Sequence, residues 1–286
     1  MGRFRYHDTN ECFETALSKV KLAARVVMEG FNANKNVEMK QEKSWDLVTE
    51  FDKRVEHILI SELSKVYPDH KFIGEETTTL HLPSLLTDDP TWLIDPIDGT
   101  TNFVHACPHA CISLALSVRK QLVLGIVYNP HANQLFTAKR GCGAYLNGKP
   151  IRASNCQDIS EALVGYEISM ARDKEIRDQL LSRFTSCLTK AQGMRTLGSA
   201  ALSLCYVAMG AWDAYQVDYL YCWDYSAGAL IIQEAGGVVI DTNGGEFEIM
   251  NRRILTAGTK QLADQLVNIV KKADQLLKTN KTSITS

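Results

Sequence analysis

The twelve residues Trp92-Leu93-Ile94-Asp95-Pro96-Ile97-Asp98-Gly99-Thr100-Thr101-Asn102-Phe103 decide how the rest of the chain is read. Apolar residues of strand type run straight into Asp95. Pro96 withdraws a backbone donor and stiffens the chain there. Asp98 follows Asp95 by three residues, so a turn can point both carboxylates at one centre. Gly99 lets the backbone approach a ligand closely, and Thr100 and Thr101 offer hydroxyls and amide N–H groups. An Asp-Pro and Asp-Gly pair could merely shape a turn, but too many special-purpose residues coincide for that reading to cover the whole string.

Two further segments put acid where propensity alone would not. Glu75 and Glu76 follow Phe72-Ile73-Gly74, a short apolar strand whose end would carry charge at a sheet edge, where ligands commonly bind. Alone, this segment reads equally as an ordinary acidic turn. Asp224, in Cys222-Trp223-Asp224-Tyr225-Ser226-Ala227-Gly228, precedes a helix rich in small residues and reads as its N-cap, although a carboxylate there can also reach a metal. Together the segments offer Glu75, Glu76, Asp95, Asp98 and Asp224, with no nearby His or Cys cluster. All-oxygen ligation points to a hard cation, Mg2+ before Mn2+, and away from zinc. Carboxylates this crowded repel one another unless cations neutralise them, and adjacent ions suit phosphoryl transfer.

Around these motifs the hydrophobic period changes twice. Phe13, Leu17, Val20, Ala24 and Val27 recur at helical spacing and predict a helix over residues 10–30. A polar stretch over 32–44 reads as a loop, and a second helix spans 53–67 until Pro68 stops it. A turn-rich connector covers 77–90. Strand-like segments follow at 112–118, 122–128, 134–138 and 144–146, punctuated by Asn129-Pro130, Gly141-Cys142-Gly143 and Asn147-Gly148. They predict an antiparallel meander against the two early helices. Beyond Ile151 strands are expected at 163–165, 213–217, 238–241 and 254–257. Helices are expected at 174–188, 199–209, 224–234 and 262–277, then a frayed polar tail. The sum is a layered α+β / α/β chain, an αβαβα sandwich. A weak boundary near Ile151 divides a half over 1–150, with the acidic motifs, from a half over 151–286, and the two are expected to form one compact unit.

Composition bounds the function class. The 286 residues carry a formal net charge of −2, so neither nucleic acid nor an anionic membrane is indicated as a partner. No apolar run is long enough to span a bilayer, and residues 1–10 lack the apolar stretch of a signal peptide. Eight cysteines without a Cys-x-x-Cys pair suggest reduced, mostly buried thiols and a cytoplasmic protein.

The acidic pair after a strand, the string Asp95-Pro96-Ile97-Asp98-Gly99-Thr100-Thr101-Asn102-Phe103 and the later Trp223-Asp224 resemble, in order and spacing, the metal signature of the inositol monophosphatases. The resemblance runs from about residue 11 to 272. The superfamily also holds bisphosphate nucleotidases, inositol polyphosphate 1-phosphatases and fructose bisphosphatases, but the unbroken string and the chain length favour the monophosphatase branch. The resemblance implies a sugar phosphatase fold and Mg2+-dependent hydrolysis of inositol monophosphate by a metal-activated water. It implies a first ion on Glu75, Asp95 and the Ile97 carbonyl, a second on Asp95, Asp98 and Asp224, and a weaker third near Glu75. The Gly99 and Thr100 amides would take the phosphate, and Thr100 with Asp52 and Glu75 would orient the attacking water. Read alone, Asp52 is a helix cap before Lys53. Ser199 and Ala200 would line the substrate ring, with Asp98 and Asp224 also facing substrate. Arg195 would be structural or interfacial, and Lys40 or Lys43 would approach the phosphate. Lithium sensitivity and a homodimer are implied as well. The alternatives are a related phosphatase for another polyol phosphate or a bisphosphorylated nucleotide, and a non-catalytic family member.

One departure bears on the substrate. Seven residues before Asp224 the family usually carries Glu or Gln, which bonds a ring hydroxyl; here stands Val217, flanked by Gln216 and Asp218. Tyr221 likewise replaces a His or Lys often seen nearby. Valine cannot make that bond, so discrimination between polyols should weaken unless a register shift brings Gln216 or Asp218 into its place.

Overall fold

Helix α1 (Tyr6–Phe31) buries Cys12, Ala16, Val20, Ala23 and Val27, a stripe at three- and four-residue spacing. The computed structural model describes residues 6–40, 47–78 and 85–284. After α1, strands β1 (Val37–Met39) and β2 (Leu47–Thr49) pair as an antiparallel ribbon, so part of the expected loop is extended. Helix α2 (Glu50–Val66) begins three residues before its expected start because Thr49 is its N-cap: the Thr49 hydroxyl accepts from Phe51 N at 3.2 Å. Asp52 is therefore the third residue of the helix, not its cap. It closes a capping box by accepting from Thr49 N at 2.9 Å.

The strands β3 (Lys71–Gly74), β4 (Thr91–Asp98), β5 (Cys111–Val118), β6 (Gln121–Asn129), β7 (Gln134–Lys139), β8 (Ala144–Leu146) and β9 (Lys149–Pro150) form one seven-stranded sheet in chain order. Only β3 and β4 run parallel; the rest is the expected meander. A short helix α3 (Thr100–Val104) follows β4 directly. The second sheet holds β10 (Leu163–Tyr166), β11 (Gly193–Arg195), β12 (Ala214–Asp218), β13 (Val238–Ile240) and β14 (Arg253–Ala257), in the order β11-β10-β12-β14-β13. Helices α4 (Arg177–Leu188), α5 (Ala200–Ala208), α6 (Cys222–Glu234) and α7 (Lys260–Ile284) complete the chain. The last of these continues to Ile284, into the tail that was expected to fray.

Alternation along the strands sets the layers. On β4, Trp92 and Ile94 pack with α1 and α2, while Leu93 faces α5 and α6 on the other side. On β12, Tyr215 and Val217 share that middle layer with Leu204, Leu230 and Trp223. Ala214, beside Val164 and Leu255, faces α7 through Leu262 and Leu266. The order is therefore helices, seven-stranded sheet, helices, five-stranded sheet, helices, the expected αβαβα sandwich. Each fully buried Leu or Ile in these layers contributes about 2 kcal/mol.

Candidate active site

A β-bulge, rather than a turn, brings Asp95 and Asp98 together. Asp95 pairs with Ser113 and Asp98 with Cys111, so three steps along β4 match two along β5. In a regular strand residues three apart point to opposite faces. The extra residue returns Asp98 to the face of Leu93 and Asp95 and leaves Ile97 buried on the α1–α2 side. Asp95 accepts from Ile97 N at 3.0 Å, which braces the bulge. Gly99 then takes φ 88°, and a Cβ there would lie 2.8 Å from the His109 carbonyl oxygen.

Three helices aim their N-termini at this spot. The first turn of α5 grips Asp98: Ser199 Oγ donates to it, as do Ala200 N at 3.2 Å and Ala201 N at 2.8 Å. Ser199 also caps α5, as expected, through Leu202 N at 3.3 Å. In α6, Asp224 is the third residue and not the cap; Tyr221 stands at the cap, and its N donates to the Asp224 carboxylate at 2.7 Å. At α2, Asp52 accepts from Thr49 Oγ at 2.5 Å and Thr100 Oγ at 3.3 Å, while Thr100 Oγ also lies 3.1 Å from the Ile97 carbonyl. Helix N-termini favour negative charge, from the protein or from a bound phosphate.

Asp95, Asp98 and Asp224 bring carboxylate oxygens within 4.8 Å of one another. Burial, then the charges of Glu75, Asp98 and Asp224, raises the Asp95 pKa well above the usual carboxylate range. Asp224 is raised for the same reasons, with burial first and Glu75 and Asp98 next. Burial pushes Asp98 up to about 6 against the Ser199, Ala201 and Ala200 bonds, and Asp52 up to about 6 against the Thr49 bonds. Buried, mutually repelling, all-oxygen and without a thiol or imidazole ligand, this donor set fits a hard divalent cation.

Glu75 ends the segment after β3, where its N donates to the Ile94 carbonyl at 3.1 Å, beside the strand that carries Asp95. Its carboxylate meets Lys40 Nζ at 2.8 Å, and Glu76 meets the same nitrogen at 2.7 Å. Burial works against the Lys40 ammonium, but Glu75 and Glu76 outweigh it and raise its pKa. Of the two lysines expected near the phosphate, Lys40 therefore sits on the acidic pair; Lys43 lies outside the described residues.

Val217 is buried on the middle-layer face of β12, with Ile254 opposite. Gln216 and Asp218 point the other way. Asp218 is bound by Arg183 Nη1 at 2.7 Å and by Gln216 Nε2 at 2.9 Å, so neither neighbour replaces the missing acid. Tyr221 lies stacked between Trp223, 4.8 Å away, and the Arg252 guanidinium at 4.1 Å. Arg195 is exposed on β11 and donates to the Met194 carbonyl. Two site neighbours were not legible. Cys111 lies 3.8 Å from both Asp98 and Ser199 Oγ. Glu56, one turn beyond Asp52, holds the turn that carries Glu75 and Glu76.

The model of the inositol monophosphatase family matches residues 8–275. Inositol monophosphatase 2 of Rattus norvegicus is 43% identical over 255 residues, 89% of this chain and 88% of that protein. Inositol monophosphatase 1 of Homo sapiens is 40% identical over 258 residues, 90% and 92% of the two chains. Among solved structures, the extragenic suppressor protein suhB of Bartonella henselae superposes with a TM-score of 0.82 at 30% identity, over 91% of this chain and 98% of that one.

Proposed function

Since the chain belongs to the inositol monophosphatase family, and so is a phosphoric monoester hydrolase, we propose that it hydrolyses inositol monophosphate to inositol and phosphate with Mg2+ as its cofactor. The observation that carries this reading is the cluster of buried Asp95 and Asp98 with half-buried Asp224 beside Glu75, at the N-termini of α2, α5 and α6. Two ions, and a third at lower affinity, would neutralise it. Glu75, Asp95 and the Ile97 carbonyl would hold one, and Asp95, Asp98 and Asp224 another. When bound, Mg2+ supplies an acidified water, a polarised phosphate and screening of the leaving oxygen.

The chain's own groups do the rest. Thr100 Oγ directs its proton at Asp52 or the Ile97 carbonyl, which leaves its lone pairs free to accept from the attacking water. Glu75 is the second acceptor for that water, so its remaining lone pair is aimed at phosphorus. The first-turn amides at Gly99 and Thr100 lack intrahelical partners and suit the phosphate oxygens. Ser199 and Ala200 act through Asp98, to which both donate, and line the substrate side of α5.

Val217 and Tyr221 favour a second, broader reading of the substrate: a polyol phosphate less strictly selected than in relatives with Glu or Gln at that position. The eight cysteines, none of them in a disulfide among the described residues, suit a reducing, cytoplasmic setting, and a homodimer is the assembly we expect. No helix among the described residues is long and apolar enough to cross a membrane. The test is phosphate release from inositol 1-phosphate, glycerol 2-phosphate and a bisphosphorylated nucleotide, with Mg2+ and with chelator. Release that persists in chelator, or none from inositol 1-phosphate, would overturn the reading.

A further inference from the structure

Glu56 is the buried acid of this region that no step of the proposed reaction uses. It is 1% exposed and lies four residues after Asp52, so α2 presents two buried carboxylates on one face. Asp52 is accounted for by its cap and by Thr100. Glu56 Oε2 accepts from Glu76 N at 2.8 Å, and Oε1 accepts from Thr77 N at 2.8 Å. Thr77 adds a side-chain bond. No salt bridge includes Glu56 among the described residues.

A carboxylate is an expensive way to fill a helix face. Burying it costs several kcal/mol unless its oxygens are bonded, and a leucine there would favour the fold. What Glu56 does, and an apolar residue could not, is receive both amides of a tight turn. The sequence is shaped around it. Gly74 has no room for a side chain: a Cβ would lie 2.6 Å from the Glu56 carboxyl carbon. Gly74 fits against Glu56 on one side of Glu75, and Glu76 is tied to Glu56 on the other. Thr78 N closes the turn on the Gly74 carbonyl at 3.0 Å. Glu75 is thereby bracketed by two residues that Glu56 fixes, while its own side chain is left to face Lys40 and Asp95.

We propose that Glu56 is a positioning residue, a buried anion receptor for the Gly74–Thr77 turn that sets the reach of Glu75 toward the cation it shares with Asp95. The proposal rests on Glu75 being a cation ligand, as in the function proposed above. Groups that orient metal ligands from behind typically change cation affinity about 10–100-fold when removed. Glu56→Gln keeps the shape but turns an NH2 donor toward one of the two amides, so one bond is replaced by a donor–donor clash.

The experiment is calorimetric titration of Mg2+ alone into the wild type, Glu56→Gln, Glu75→Gln and the double variant, with the Mg2+ midpoint for phosphate release from inositol 1-phosphate measured beside it. Glu56→Gln should weaken cation binding about ten-fold and raise the midpoint to match, leaving KM at saturating Mg2+ near wild type. Once Glu75 is replaced, Glu56→Gln should cost almost nothing further. Additive losses in the double variant, or unchanged cation binding in Glu56→Gln, would overturn the proposal. If Glu56→Gln does not fold, Glu56→Asp carries the test: it keeps the charge but withdraws it by about 1.5 Å, and wild-type cation affinity there overturns the proposal equally. A wild type that binds Mg2+ but releases no phosphate from inositol 1-phosphate would sink the substrate reading and leave this proposal to the calorimetry.

Discussion

Replacing Asp95 by asparagine should abolish turnover and, in the absence of cations, make the protein more stable. Asp95 is 2% exposed, and its carboxylate shares a 4.8 Å neighbourhood with those of Asp98 and Asp224. At an effective dielectric of about 20, two unit charges that far apart repel by about 3 kcal/mol. Proton uptake caps the penalty. Burial and the neighbouring carboxylates raise the folded pKa above the unfolded value of about 3.9, so the native carboxylate sheds part of the repulsion by holding a proton. Asparagine removes the charge while keeping an acceptor for Ile97 N, so the bulge survives. Relaxation will offset part of that repulsion in the wild type, so a gain of about 2 kcal/mol, or roughly 3 °C in Tm, is expected for chelator-treated protein at pH 7. The size of the gain depends on pH. A raised folded pKa means that the native state binds the extra proton, so wild-type stability falls as pH rises from about 4, and the asparagine advantage grows over the same range and vanishes below it. Adding Mg2+ should reverse the order, because only the wild type retains the full ligand set, and the loss of turnover should reach about three decades. Differential scanning fluorimetry with and without Mg2+ at pH 4.5 and 7, paired with a phosphate-release assay, reads all of this. A chelated Asp95→Asn protein that melts below wild type at pH 7, or a folded one with near wild-type turnover, would refute the shared-cation reasoning.

Val217→Glu should raise the kcat/KM preference for inositol 1-phosphate over glycerol 2-phosphate several-fold without moving the Mg2+ midpoint, if the middle-layer face of β12 reads the ring; an unchanged ratio, or a protein destabilised by the buried charge, would place ring recognition elsewhere. Asp218→Ala should leave that ratio alone but cost about 3 kcal/mol in a denaturant titration, because it strands the buried Arg183 guanidinium with Asp274 alone; a shifted ratio would contradict the face assignment. Lithium should inhibit uncompetitively with substrate by entering the site formed by Asp95, Asp98 and Asp224, and indifference at saturating substrate would argue against that occupancy. Light scattering after size exclusion should give twice the 31.9 kDa chain mass, and a monomer at assay concentration would refute the dimer.

The layered fold was legible because its signals are local. The stripe of α1 and the alternation of β5 to β8 are periodic, and the turn residues between strands announce themselves. The edges failed where a partner distant in sequence decides them. Thr49 and Tyr221 displace Asp52 and Asp224 from the cap position, and both acids still bond the cap, but from the third residue of the helix. The string around Asp95 named the right residues and the wrong geometry. A three-residue spacing suits a turn, yet the pairing with β5 keeps the segment extended, and only a bulge reconciles the strand with two acids on one face. Glu56 was invisible: in sequence it is one more charged residue on an amphipathic helix, and its meaning comes from a turn twenty residues away.

The same string also bears on how the chain divides. Asp98 belongs to the half over 1–150, yet three of its bonds come from Ser199, Ala200 and Ala201 in the half over 151–286. Asn102 Nδ2 reaches across as well, donating to the Leu197 carbonyl at 2.9 Å and to Gly198 at 3.3 Å. Ser113 Oγ donates to the Trp223 carbonyl at 2.9 Å, next to Asp224. The residues that we propose hold cations are thus also those that join the halves. An acid gathered only by folding has no preformed partner in either half alone, so cation binding adds its free energy to the union of the two. We propose that the chain is one compact unit with its seam at the site, where cations, once bound, would remove the repulsion that the clustered carboxylates impose.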